Sequence, residues 1–438
     1  MKLKIISFLS ISILLISCGK DSAPVVEVSQ TEFSKVSCEE TTLNVELRTE
    51  LEWTATSLVQ WCKVSQGKGT GSTMLRLTVE GNIDKERSGT VAIWTPQEVI
   101  RINIHQIALP SGQEYHYKIP VIFHVLYASQ TDNKQYIPQS RLAEILENVN
   151  AYYKGNTLYK GGAAGVDMNL EFVPAENDEE GNALPTPGVE YVRLETMPLD
   201  CEAFMSDKRN VDMLWDPNRY VNVMLYNFAD VSGGNSVILG ISHLPFSTSG
   251  SNYLEGLPAT TYSYLTKENL PYPKCVSINS LYAYEETGER YNSYDVNVTL
   301  AHELGHYLGL HHAFDENEDA SLSSRCVNSD YCEDTPSYDR AAYMMNLQAM
   351  IYEAQQQGKQ LAMSEVVKRE DCRTGETFSS YNLMDYEISY SDRFTPDQRR
   401  RIRHVLTYSP LIPGPKKGQA ATRSIVTGTL DLPMVIVK

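Results

Sequence analysis

The sequence predicts two folded units in one chain, an all-β sandwich in front and a larger α+β unit behind it. Three observations carry this. Between Glu27 and Ile107 apolar and polar residues alternate with a period of two, the pattern of half-buried strands. Beyond Gln113 the pattern changes to a continuous apolar strand, Ile119 to Tyr127, followed by Leu142, Ile145, Leu146 and Val149 at helical spacing. The chain, at 438 residues, is also longer than one core needs.

In the front unit Leu43, Val45 and Leu47 alternate with polar residues. So do Leu75, Leu77 and Val79, then Val91 and Ile93, then Ile100, Ile102 and Ile104. Turn signals separate these runs at Gly67 to Gly71, Gly81-Asn82 and Ser88-Gly89. Short strands at this spacing predict an immunoglobulin-like sandwich over residues 28–108. Pro110 and Gly112 mark a linker at 109–115. The α+β unit then occupies 116–410, and a tail at 411–438 has no role that the sequence assigns. Within this unit Val166 to Phe172, Tyr220 to Tyr226 and Ile238 to Leu244 read as strands. The last helix opens at Thr395-Pro396-Asp397-Gln398, an N-cap, a proline at the first helical position and a capping-box glutamine. Its apolar face is Ile402, Val405 and Leu406.

The formal net charge of -17 excludes nucleic acid as a partner, since phosphate binding needs clustered Lys and Arg. At the N-terminus Lys2 and Lys4 precede an apolar run from Ile5 to Ile16, too short to span a bilayer, as in a signal peptide over 1–17. The run ends in Leu15-Ile16-Ser17-Cys18-Gly19, which resembles a bacterial lipobox. That resemblance implies lipidation at Cys18, a tether at 18–27 and anchoring to a bacterial cell envelope, at the outer membrane or cell surface. Seven further cysteines remain, and an odd number leaves at least one thiol free or paired elsewhere.

The stretch Leu300-Ala301-His302-Glu303-Leu304-Gly305-His306-Tyr307-Leu308-Gly309-Leu310-His311-His312 points to chemistry. His302 and His306 are one helical turn apart, so both imidazoles project from one face. Zinc takes such nitrogens in a tetrahedron, with the fourth position left open at catalytic sites. Glu303 is placed to take a proton from a zinc-activated water and return it to the leaving amine. Gly309 can take a left-handed conformation, end the helix and bring His312 round as the third ligand. His311 is off register by one and reads as a neighbour. This is the elongated metzincin motif. Asn382-Leu383-Met384-Asp385-Tyr386 fits the methionine turn that metzincins place beneath the metal. Met384 would pack under the imidazoles, and Tyr386 stands where several metzincins have an oxyanion-stabilising tyrosine.

With Trp215 to Val223, Cys332-Glu333-Asp334-Thr335-Pro336 and Phe394 to Gln398, these motifs make the region from Tyr117 to Tyr408 resemble the pappalysin (cytophagalysin) branch of the metzincins. The resemblance implies a zinc metalloendopeptidase acting on extracellular protein. Calcium occurs in some relatives, and Asp315, Glu316, Glu318, Asp319, Asp330, Glu333 and Asp334 offer oxygen ligands, without EF-hand spacing. The sequence lacks the relatives' usual cysteine in 387–393, leaving Cys372 to pair with Cys332 or Cys326. Tyr390 stands where arginine-specific relatives carry an acid, so that preference is not implied. In the front unit Trp61, the Gly-rich turn, Asn82, Arg87-Ser88-Gly89 and a strand closing on Gln106 resemble the BACON domain, which implies a spacer or a glycan contact. The competing expectation is a surface adhesin or glycan-binding lipoprotein with a silent protease domain, or one kept latent by a thiolate from Cys38 or Cys62.

Overall fold

The computed structural model describes residues 25–156, 165–230, 237–288, 291–314, 328–418 and 426–438. Cys18, the signal segment, Asp315 to Asp319 and Cys326 lie outside them.

Nine strands form the front unit: β1 (Glu27–Val28), β2 (Glu32–Val36), β3 (Thr41–Arg48), β4 (Glu52–Ser57), β5 (Cys62–Val64), β6 (Lys68–Thr70), β7 (Thr73–Val79), β8 (Arg87–Trp94) and β9 (Val99–Gln106). They make two sheets, ordered β1-β3-β7-β5 and β2-β9-β8-β4-β6. The alternation in sequence is what closes them on each other. Val45, Leu47, Leu75, Leu77, Val79, Val91, Ile93, Ile102 and Ile104 all turn inward around Trp53 and Trp61. The link to the second unit is packed down: Tyr115 is buried, and it joins Ile83 of the front unit in the second unit's core.

The α+β unit begins with β10 (Tyr117–Tyr127) and α1 (Gln139–Tyr153), then β11 (Leu170–Pro174), β12 (Val189–Arg193), α2 (Cys201–Ser206), β13 (Val221–Tyr226) and β14 (Gly240–His243). Two two-residue strands, β15 (Ser247–Thr248) and β16 (Ala259–Thr260), pair with each other before β17 (Val276–Asn279). The remainder is α3 (Val296–Tyr307), α4 (Arg340–Gln357), α5 (Met363–Val366), a hairpin of β18 (Lys368–Glu370) and β19 (Thr377–Ser379), α6 (Pro396–Tyr408) and β20 (Ile436–Val437). The central sheet runs β11-β10-β13-β17-β14-β20, with β12 also on β10. It is parallel except for β14, antiparallel to β17, and β20, antiparallel to β14. β13 is buried along its whole length, as a central parallel strand covered on both faces must be.

Three departures from the sequence expectation have physical causes. The strand expected from Val166 starts only at Leu170, because Asn169 takes a left-handed φ of 53°, which asparagine tolerates and a strand does not. Helix α4 carried no signal: only Tyr343, Leu347 and Ala354 of its 18 residues are buried, too narrow a stripe to stand out. The α+β unit also continues past residue 410. Leu411 and Ile412 are buried in its cores, and β20 adds to its sheet.

Candidate metal centre and active site

Helix α3 is buried almost throughout, its polar Asn297, His302, Glu303 and His306 included. Asp295 caps it by accepting from the backbone N–H groups of Asn297 at 2.8 Å and Val298 at 3.3 Å. The helix stops where Gly309 takes a φ of 93°. The Gly309 N–H then bonds to the His306 carbonyl and the Leu310 N–H to the Gly305 carbonyl, each at 2.9 Å. Gly309 is also required for space, since an added Cβ would lie 2.7 Å from Val405 of α6. That turn delivers His312.

The three imidazoles converge. His306 Nε2 lies 2.9 Å from His302 Nε2 and 3.2 Å from His312 Nε2. His302 Nδ1 donates to the Leu383 carbonyl at 2.7 Å, and His306 Nδ1 to the Leu310 carbonyl at 2.8 Å. Those bonds fix the tautomer, leaving the Nε2 lone pairs to point at one another. Three lone pairs so close repel unless a cation sits among them. Zinc bonds of about 2.0–2.1 Å in a tetrahedron would set the nitrogens about 3.4 Å apart, close to the spacing here. Burial, and then its two histidine neighbours, hold the His306 pKa well below its ordinary value, in the neutral form that a metal needs. Among the described residues no other His, Cys, Asp or Glu group converges in this way.

Glu303 is buried, and its Oε2 has no hydrogen-bond partner among the described residues. Burial pushes its carboxyl well above the usual range. A divalent cation at the histidines would draw it back down. The side chain is pressed against the backbone of β14: a Cβ at Gly240 would fall 2.5 Å from Glu303 Cγ and 2.8 Å from Oε1. Gly240 is thus a site residue that the sequence reading missed. Its glycine shows in the sequence, but the partner more than sixty residues away is set by sheet register.

Met384 is fully buried beneath the site. A Cβ at Gly305 would lie 2.6 Å from Met384 Sδ, so the glycine lets the thioether reach the helix. The turn around it touches both ends of the motif. The Leu383 carbonyl accepts from His302, and the Met384 carbonyl accepts from the Ala313 N–H at 2.9 Å. Asp385 anchors the turn, accepting from Tyr338 Oη at 2.6 Å, from Ser380 Oγ and from buried Arg369 at 3.4 Å. Arg369 in turn stacks over Tyr343 of α4 at 3.5 Å. Tyr386, 46% exposed, sets its ring edge-on to His312 with centroids 5.4 Å apart. Arg340 lies over that ring at 4.8 Å and also bonds Glu387 at 2.7 Å. Burial raises the Tyr386 pKa, while the charges of Arg340 and, more weakly, Lys438 pull it back.

The remaining candidates lie elsewhere. His311 faces Tyr331 with ring centroids 5.3 Å apart. His105, His124 and His243 sit on strands, His116 in the link just before β10 and His404 on α6, with ordinary polar or ring partners. Asp330 accepts from the Cys332 N–H and from Thr335 Oγ1, Asp334 from the Asp397 N–H, and the Glu333 N–H itself donates to Asp397. The Asp330 carboxylate therefore holds its own turn, and the Asp334 carboxylate caps the first turn of α6. Cys332 is a buried free thiol while Cys372 is disulfide-bonded, so Cys332 is not its partner. Cys38 is a buried free thiol, and Cys62 lies in the sandwich core with its thiol pushed up to about 11. Tyr390 stacks on Tyr381, centroids 4.9 Å apart.

The Peptidase_M43 family model, described as pregnancy-associated plasma protein-A, matches residues 272–407. Extracellular metalloproteases of Arthroderma benhamiae and Trichophyton verrucosum are each 31% identical over 116 residues, which is 26% of this chain and 33% of theirs. The chain thus spans about a third of the length of these curated relatives. Mature mirolysin of Tannerella forsythia, solved in complex with a cleaved peptide, is similar at 19% identity and a TM-score of 0.43, over 66% of this chain and 92% of that one. The matched segment contains the converging histidines, Glu303 and the turn at Met384, and over that segment the chain is similar to the pappalysin metallopeptidases, Peptidase_M43.

Proposed function

We propose that the chain is a zinc metalloendopeptidase that hydrolyses peptide bonds of extracellular proteins. The observation that carries this reading is the convergence of three Nε2 atoms, two of them oriented by Nδ1 bonds to backbone, beside a buried carboxylate with an unpartnered oxygen. His302, His306 and His312 would hold the metal. Zinc bound there would supply a Lewis acid for the scissile carbonyl and would lower the pKa of water toward neutrality. Glu303 accepts that water's proton at its carboxylate and passes it to the leaving nitrogen. The Tyr386 hydroxyl, on the open side beside His312, donates to the developing oxyanion. Met384 acts only by packing. It fixes the floor under the ligands, and Asp385 fixes Met384.

The two-sheet front unit serves as a BACON-like, immunoglobulin-type spacer, with a glycan contact as the alternative role, and Cys18 is the lipid attachment point in a bacterial envelope. Calcium has no support among the described carboxylates. The deciding experiment is cleavage of a mixed peptide library by protein starting after Cys18, with zinc content measured alongside and Glu303→Ala as control. Chelator-sensitive cuts that vanish in the variant, with one zinc per chain retained, are the expected result. Zinc bound without any cleavage would overturn the reading in favour of a binding protein on a silent scaffold.

A further inference from the structure

β14 borders the site, since Gly240 at its start touches Glu303. One edge of β14 is taken by β17. The other is the only place along this strand where an extended peptide could add by backbone hydrogen bonds, the general mode of β-augmentation. In the structure that edge is filled by the chain itself. β20 pairs antiparallel, Ile436 with His243 and Val437 with Ser242, and the Leu244 N–H donates to the Val435 carbonyl at 3.0 Å.

The direction matters. β14 runs from Gly240 to His243, so the antiparallel segment runs back toward Gly240. By continuation of the register Lys438 falls opposite Ile241, one residue short of the glycine that contacts Glu303. The segment is also held at intervals: the Tyr272 hydroxyl donates to the Pro433 carbonyl at 2.7 Å, Ile436 and Val437 pack on the two cores, and Lys438 pairs with Glu202. We propose that residues 434–438 occupy the peptide-docking edge of the cleft in cis, so that substrate must displace them. Their side chains then name the class of peptide this edge accepts, an extended strand with consecutive aliphatic residues. The inference rests on the protease reading.

Only two residues form the paired strand, and Met434 and Val435 are 43% and 38% exposed, so exchange with a substrate is feasible. Val437 opposes Ser242, two residues from the Leu244–Val435 bond, so by antiparallel alternation its N–H is a ladder donor. Val437→Pro removes that donor and should loosen the segment without touching the metal site. The test uses the zinc-loaded full chain, a fluorogenic peptide containing Val-Ile-Val-Lys, and a peptide hydroxamate as active-site probe. We expect Val437→Pro to raise kcat/KM about tenfold at unchanged zinc content. In the unaltered protein, hydroxamate binding should abolish hydrogen-exchange protection at 434–438. Binding of the hydroxamate with that protection intact overturns the inference and leaves the protease reading standing, even where the proline variant fails to fold. Absence of both cleavage and hydroxamate binding in every variant sinks the protease reading itself, and the inference with it.

Discussion

Gly240→Ala is the sharpest perturbation that the structure offers. It adds one methyl group on a strand, far from the zinc motif in sequence, and changes no ionisable group. The methyl would lie 2.5 Å from Glu303 Cγ and 2.8 Å from Oε1, whereas carbon atoms in contact stand about 3.5–4.0 Å apart. Something must therefore yield by roughly 1 Å. β14 is clamped between β17 and β20, and α3 is buried along most of its length, so the Glu303 side chain is the part free to rotate. A misplacement of about 1 Å at a catalytic group costs on the order of 100-fold in rate. We expect kcat/KM on a peptide substrate to fall about 100-fold, with zinc stoichiometry unchanged and a stability loss of about 1–3 kcal/mol from the overpacking. A fall of less than fivefold, or a loss of activity that follows loss of zinc, would refute the assignment of Gly240 as the wall that sets Glu303.

Three further outcomes follow from the packing. Lys274 is fully buried, its Nζ over the Tyr307 ring at 3.8 Å with no hydrogen-bond partner among the described residues, and burial lowers its pKa from 10.5 to about 7. Between pH 7 and 10.5 the unfolded chain thus binds more protons than the folded one, so this group's contribution to stability improves as pH rises and is worst below pH 7. Lys274→Met should gain roughly 5 kcal/mol at pH 6 in urea denaturation, with the advantage gone by about pH 10.5; a pH-independent difference would contradict this. Gly309→Ala forces a residue with a side chain into a φ of 93° and against Val405, and should cost about 2–4 kcal/mol and weaken zinc affinity, read by thermal unfolding and metal titration. Arg369→Met strands Asp385 under the methionine turn and should cost about 3–5 kcal/mol, with Arg369→Lys failing to restore it because lysine cannot reproduce the forked contacts to Val366, Ile388 and Asp385.

What could be read from the sequence was whatever local geometry dictates. The spacing of His302 and His306 is a property of the helix, and the break at Gly309 is a property of glycine, so the convergence of the ligands was legible before any tertiary contact was known. The capping box at Thr395 and the alternation through Val45, Leu75 and Ile102 were legible for the same reason. Contacts fixed by register or by burial of polar groups were not. Asp385 looked like an ordinary turn residue, yet it receives Tyr338, Ser380 and Arg369 from three separate segments. Gly240 carried no sign of its partner. Met434 to Lys438 fell in a tail without an assigned role, because two-residue strands leave no periodicity to detect.

The order in which the site's parts occur along the chain has a consequence for biosynthesis. The histidines and Glu303 emerge from the ribosome well before Met384, before α6 that packs on Gly309, and before the strand that borders β14. Until those later segments have been made, His302 lacks the carbonyl that orients it and the floor beneath the ligands is missing. On the proposed reading a nascent chain therefore carries the motif before the parts that complete the site, so chain order delays hydrolysis until synthesis is nearly finished.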